Sequence, residues 1–255
     1  MARKVFAAVP NYTNLIRGEV SDAMMVAGFE AAKTGWEFER KRLTGRIHHI
    51  ARNLLLGLFL HSDSTDLVWW DDDVAILPGN FVRFVEHDVP FVCAAYRHKQ
   101  DAETYPGAFP PPGQRRMRES ASTKTPLFDT LYWPIGFSRQ TRGCVEAICN
   151  RPEVIWEPDD AYPGVKFPQV FKGEDVFVKD GQRYAFGEDY AYCREWIDLA
   201  EGNAVWLDPV MQTGHAGQQI WWGCKAAQMQ REVEAYRREV ALDDINRRMF
   251  SEAAQ

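Results

Sequence analysis

The chain has 255 residues, 45% hydrophobic and 26% charged, with a formal charge of −6. That is ordinary globular composition, with length for one domain or one domain plus an appendage. It argues against a module held to nucleic acid by broad positive charge, while leaving room for a local basic patch. No apolar run approaches the roughly 20 residues of a membrane span. The opening "MARKVFAAVPNYTN" lacks a signal-peptide pattern, and the five cysteines, at 93, 144, 149, 193 and 224, show no CxxC spacing. Reduced thiols and a cytoplasmic location are therefore expected.

In chain order, "KVFAAV" predicts a short buried strand stopped by Pro10 and Asn11. Val20, Met24, Ala27 and Ala31 predict a helix from about Leu15 to Lys33, with Gly35 as its stop. Ile47, Ile50, Leu54 and Leu58 predict a second helix ending near Ser62, and Leu67 to Trp70 a strand. "PGNFVRFVEHD" has helical spacing and "VPFVCAAY" reads as another buried strand. Alternation of strand and helix predicts an α/β fold, a mainly parallel sheet flanked by helices, with ligands at the carboxyl ends of its strands. Further on, 100 to 126 is a proline-rich loop near Arg115, Arg116, Arg118 and Lys124, "LFDTLYW" a strand, and 138 to 150 a helix. Residues 151 to 186 form an excursion with short strands, "GEDYAYCREWIDLAEG" a helix and "AVWLDP" a strand. Met229, Val233, Tyr236 and Val240 share one face of an amphipathic C-terminal helix. The expected division is a domain over 1–225 and a helical extension over 226–255 packed on it.

The stretch "DLVWWDDDVAILPGN" sets Asp71, Asp72 and Asp73 at the end of a buried strand. Three adjacent carboxylates repel one another unless a cation is present, and hard oxygen ligands suit Mg2+ or Mn2+. The blander reading is a solvated turn in which one aspartate caps the following helix. His215, in "LDPVMQTGHAGQQ", is either a metal ligand or an ordinary loop histidine. Asp189, just after Gly187, is either a helix cap or a general base. Position alone leaves these choices open.

Together these residues resemble the metal-dependent nucleotide-sugar glycosyltransferases of the GT-A fold, in particular family-2-like and phage-type members. "LVWWDDDV" stands where that family has its DxD-type motif, "IHHIARN" where it has a helical "ITRARN" pattern, and Gly187–Glu188–Asp189 where a "GED" opens a helix. Asp208–Pro209 followed by Gly214–His215–Ala216–Gly217 resembles its closing "D-P-x…GHxG" segment, and "VPNY" its nucleotide-binding start. The likeness covers roughly residues 3 to 220 and resides in the order and spacing of the motifs.

The resemblance implies Asp71 and Asp73, with His215, as ligands of Mn2+ or Mg2+, and Asp72 as a further ligand or a contact to sugar or ribose. It implies Pro10, Tyr12, Arg52 and Asn53 as contacts to the donor, Asp189 as the base of an inverting transfer, and Glu188 shaping the sugar pocket. "YWPIGFSRQ" resembles the loop lining the pocket, which makes Trp133 and Gly136 lining residues; Trp133 and Pro134 stand where small residues are common. The implied partners are a nucleotide-sugar donor, a UDP-sugar first, and a hydroxyl-bearing acceptor. One specific acceptor is the hydroxymethyl group of a modified pyrimidine in DNA. The competing classes are a metal-dependent hydrolase and a noncatalytic sugar-nucleotide-binding module.

Overall fold

The computed structural model describes residues 3–13, 15–111, 113–173, 175–179, 182–217, 219–226 and 229–230, with backbone alone for 175–179 and 182–186. The elements run β1 (Lys4–Asn11), α1 (Gly18–Lys33), β2 (Glu37–Thr44), α2 (His48–Leu60), β3 (Asp66–Trp70), β4 (Val74–Ile76), α3 (Asn80–Val85) and β5 (Phe91–Ala94). They continue with β6 (Met117–Glu119), β7 (Pro126–Thr130), β8 (Phe137–Thr141), α4 (Arg142–Cys149), β9 (Trp156–Pro158) and β10 (Lys166–Pro168). The last are β11 (Asp175–Lys179), β12 (Gln182–Phe186), α5 (Glu188–Ile197), β13 (Val205–Asp208), β14 (Thr213–Ala216) and β15 (Ile220–Gly223).

The main sheet has eight strands in the order β2-β1-β3-β8-β5-β13-β7-β6. β8 and β7 run against the other strands, so the sheet is mixed where a mainly parallel one is expected. The reason lies in "FSRQT". Residues 138 to 141, expected as the start of a helix, form β8 between β3 and β5, and the helix begins only at Arg142. Ser138, Arg139 and Gln140 are buried there, and three polar residues in a row conceal a central strand from a hydrophobic-pattern reading. They are accommodated by hydrogen bonds: Arg139 donates to the carbonyls of Val89 (2.6 Å), Val85 (3.0 Å) and His87, and Gln140 accepts from the Tyr192 hydroxyl (2.8 Å). β2 was also hidden. "EFERKRLT" is mostly charged because it is an edge strand paired only to β1, where lysine and arginine discourage further pairing.

Strand alternation divides the core. Leu67 and Trp69 of β3 face one layer, with Phe59 of α2, Val145 of α4 and Tyr192 of α5. Val68 and Trp70 face the other, with Met24 of α1 and Phe81 of α3. A strand buried on both faces reads as a continuous apolar run, which is why "LVWW" was legible. The two tryptophans thus serve opposite layers, and Trp70 Nε1 donates to the Val74 carbonyl (2.7 Å), fastening β4 back onto the end of β3. The helix expected over 226–255 lies outside the described residues except for 226, 229 and 230; Met229 is buried in the α2 layer. Among the described residues no helix is long and apolar enough to cross a membrane.

Asp208, at the end of β13, is fully buried. Its Oδ2 accepts from Arg83 (2.6 Å) and lies 3.0 Å from His87 Nε2, and its Oδ1 accepts from the amides of Val210 and Met211 at 2.9 and 3.1 Å. Burial opposes its ionisation, yet these partners hold its pKa below the usual carboxylate range. It anchors the turn that leads into β14. Asp208→Ala, which strands the buried His87 and leaves the half-buried Arg83 unpaired, is expected to lower unfolding free energy by about 3 kcal/mol in urea titrations.

Candidate active site

The three adjacent aspartates go to three different places. Asp71 continues the ladder, its amide donating to the Gly136 carbonyl (2.7 Å), so its side chain takes the same face as Trp69 and meets α2 and α5. There Arg52 Nη2 donates to Asp71 Oδ1 at 3.2 Å. Asp72 takes the other phase and accepts from Asn11 Nδ2 at the end of β1. Asp73 lies past the strand, where Lys99 Nζ reaches its Oδ2 at 2.5 Å and His215 Nε2 stands 3.4 Å from the same oxygen.

His215 is brought to Asp73 by sheet pairing. β14 lies antiparallel to β4, with His215 opposite Val74, and the Ala216 amide donates to the Asp73 carbonyl (2.7 Å). The histidine is therefore on a strand, where a loop is expected. Its Nδ1 donates to the Arg97 carbonyl (2.8 Å), which fixes the ring with Nε2 turned to the Asp73 carboxylate. The flanking Gly214 has a packing role: a Cβ there would stand 2.6 Å from Ile220 Cγ2 and 3.0 Å from the Trp222 ring.

Arg52 is the centre of the second half of the site. Its guanidinium is 1% exposed, and besides Asp71 it lies 3.0 Å from Asp189 Oδ1 and 3.8 Å from Glu188 Oε1. Burial opposes its charge, but Asp189, Asp71 and Glu188 outweigh that and raise its pKa. Asp189 Oδ2 also accepts from the Ile135 amide (3.3 Å), in the loop before β8. His48 Nδ1 meets Glu188 Oε1 at 3.1 Å. Gly136 completes the floor: a Cβ there would overlap the Asp71 carboxylate and stand 2.7 Å from the Tyr96 hydroxyl.

The environments pull the aspartates apart. Burial, reinforced by repulsion from Asp189 and Asp73 and opposed by Arg52 and His48, pushes Asp71 up to about 6. Burial also acts on Asp73, but His215 and Lys99 hold it down to about 2. Burial and the neighbouring Asp73 raise Asp72. Among the described residues no three His, Cys, Asp or Glu side chains form a ready-made metal cluster. Asp73 and His215 converge as a pair, whereas Asp71 is turned to Arg52.

Other expected contacts are placed differently. Asn53 is buried, and its amide clamps 169–171: Oδ1 accepts from the Val170 and Phe171 amides (3.1 and 2.8 Å), and Nδ2 donates to the Phe171 carbonyl (2.8 Å) and to Gln169 Oε1 (3.1 Å). It builds a wall in place of meeting a donor. Trp133 is wholly buried, donating to the Ala94 carbonyl (3.2 Å), and fills the core where a pocket-lining position is expected. Arg52 lies beneath the carboxylates and does not face solvent. Pro10 is buried in β1 and Tyr12 is exposed just beyond it, both next to Asn11, which meets Asp72. Asn11, His48, Tyr96 and Lys99 were missed. Only the position of Asn11, a polar residue closing a buried strand, was a signal.

The basic loop lies elsewhere. β6 is five strands from β3, roughly 24 Å at about 4.8 Å per strand. Arg116 pairs with Asp129 (2.8 Å), Arg118 pairs with Asp88 (2.7 Å), and Arg115 lies over the Phe109 ring (4.2 Å).

No family model matches this chain, and no curated protein matches it. Among solved structures it is similar to A197 from STIV, with 17% identity over 84% of this chain and 86% of that one and a TM-score of 0.48. A glycosyltransferase involved in the glycosylation of the major capsid of PBCV-1 matches at 8% identity over 59% and 69% of the two chains, with a TM-score of 0.33. Likenesses this faint carry no functional argument, which is left to the residues themselves.

The His48–Glu188 contact has a defined pH signature. The hydrogen bond to Glu188 raises His48 against burial and the charge of Arg52. Burial opposes ionised Glu188, yet His48 and then Arg52 leave it below the ordinary range. Because the folded state holds the His48 proton more tightly, the contribution is full below the unfolded pKa of about 6.5 and lost as pH rises through the raised value. The stability difference between wild type and His48→Gln in thermal or urea unfolding is expected to be larger near pH ~5.5 than near pH ~8.5.

Proposed function

We propose that this chain is a glycosyltransferase that moves a sugar from a nucleoside-diphosphate sugar, a UDP-sugar first, to an acceptor hydroxyl with the help of Mn2+ or Mg2+. The observation that supports this most is the charge balance at the carboxyl ends of β1 and β3. Five carboxylates (Asp71, Asp72, Asp73, Glu188 and Asp189) gather around two permanent cations, Arg52 and Lys99. An anionic diphosphate alone would be repelled there, whereas a diphosphate accompanied by a divalent cation relieves the excess. The donor set fits such an ion. Asp73 and His215 would hold it, the latter through the Nε2 left free by the bond to Arg97, with a second aspartate of the run completing the protein ligands. When bound, the cation offsets the charge that builds on the leaving diphosphate.

The chain's own groups supply the rest. Asp189, held by Arg52 and the Ile135 amide, accepts the proton of the acceptor hydroxyl. That oxygen forms its bond to the anomeric carbon as the bond from this carbon to the diphosphate oxygen breaks. The electron pair leaves on the diphosphate, and attack opposite the leaving group inverts the anomeric centre. Asp71 and Arg52 brace the base from below, Glu188 and His48 border it, and Asn11 orients Asp72 toward the end of β1. The pairing of a polarised leaving group with a positioned base favours transfer over a binding module, which would need no base.

Asp189→Asn is expected to reduce sugar transfer by about 10²–10⁴-fold while Mn2+-dependent UDP binding persists in calorimetry; full activity in this variant removes the assigned base. His215→Ala is expected to weaken the Mn2+ dependence of UDP binding, and unchanged dependence would remove the assigned ligand.

A further inference from the structure

A cavity of about 320 Å3 lies against α2, between His49, Ile50 and Leu54 of the helix and Glu157, Asp159 and Phe167. Residues 157–169 of the excursion build it. The β9–β10 hairpin closes on α2 with the Phe167 ring laid directly on Gly57, a position no side chain could share. Asn53 secures the adjoining 169–171 segment through both ends of its amide. The walls are therefore anchored to the helix that carries Arg52 and His48.

Its chemistry is mixed in a defined way. Ile50, Leu54 and Phe167 supply an apolar floor, with Pro158 at the rim. Around it stand polar groups with capacity to spare. Glu157 is exposed and its carboxylate makes no hydrogen bond or ion pair among the described residues, while its backbone pairs with Phe167; the His49 ring makes no hydrogen bond there. Asp159 uses Oδ1 for the Ala161 amide (2.9 Å) and Arg46 (3.4 Å), leaving Oδ2 open. Carboxylate and imidazole acceptors around an apolar and aromatic floor match a polyhydroxylated ligand, whose hydroxyls donate and whose C–H face packs on carbon. Charge decides against a polyanion. Glu157 and Asp159 face the cavity, and the nearby cation Arg46 is already paired with Asp159. The cavity also borders the proposed site, since His49 adjoins His48, whose ring meets Glu188 at 3.1 Å.

We infer that this cavity is a saccharide subsite: it binds a neutral glycan, whose hydroxyl is presented to Asp189 past His48 and Glu188. The word acceptor rests on the proposed function; the binding of a neutral glycan does not. The other acceptor chemistry, a hydroxymethylated base in duplex DNA, would bring phosphates against two carboxylates.

The test uses the full chain on an array of neutral, sulfated and phosphorylated glycans, with duplex DNA followed by fluorescence anisotropy. Wild type should retain neutral glycans, and the double variant Glu157→Ala/His49→Ala should bind them at least tenfold more weakly. Its fold is checked by its thermal midpoint, and Ile50→Trp, which fills the cavity from an α2 position, gives a second, independent block. Three results each overturn the subsite: no neutral glycan held by wild type, equal retention by both folded variants, or retention only of anionic glycans or DNA. Mn2+-dependent UDP binding by wild type is measured in parallel. Neutral glycans held without it leave the subsite standing and remove the transferase reading instead.

Discussion

The buried guanidinium of Arg52 is the interaction on which the site depends. It stands between Asp71 at the tip of β3 and the Glu188–Asp189 pair at the start of α5, elements far apart in sequence and on one face of the sheet. Without a cation at that point, three carboxylates would share a poorly solvated space and at least one would have to take up a proton. With it, the strand tip and the helix start are locked in one geometry. A lysine would not substitute well, since a single ammonium cannot reach three carboxylates from one buried position as a planar fork of donors can.

A second constraint comes from the pleat. Side chains of a strand alternate, so consecutive aspartates at its end cannot share one target. Asp71 falls into phase with Trp69 and joins Arg52, Asp72 falls into phase with Trp70 and meets Asn11, and Asp73 turns to His215 and Lys99. The result is a division of labour among identical residues. One carboxylate, raised to about 6, braces the floor, while another, held down to about 2 by His215 and Lys99, stays ionised. The same alternation places the two tryptophans on opposite core layers, so the rigid base of the site and its chemical asymmetry have one origin.

The β9–β10 hairpin and the 169–171 segment extend this site sideways. They are fastened to α2 at Gly57 and Asn53, the helix that also presents His48 and Arg52. One helix thus borders both the carboxylate cluster and the neighbouring cavity, and a ligand in the cavity would sit within reach of the same rigid body. Asn53, expected to touch a donor, is better understood as the joint that holds these two regions together.

Much of this was legible in the chain. Apolar runs and helical periods mark β1, α1, α2, β3 and β5 because those segments are buried on both faces or along one stripe, and burial leaves a local pattern. The end of β3 marked the site, since charge directly after a buried strand emerges where the strand leaves the core, at the carboxyl end of the sheet. What escaped was set by partners distant in sequence. β8 carries polar residues satisfied by carbonyls of 85–89 and by Tyr192, and β2 is charged because it lies at an edge. Tertiary structure alone decided that Asp71 faces Arg52, that Trp133 fills core, and that His215 rides a strand beside Asp73. Sequence determines which groups are present and where elements begin; direction and partner depend on strand phase and long-range pairing, which no local pattern records.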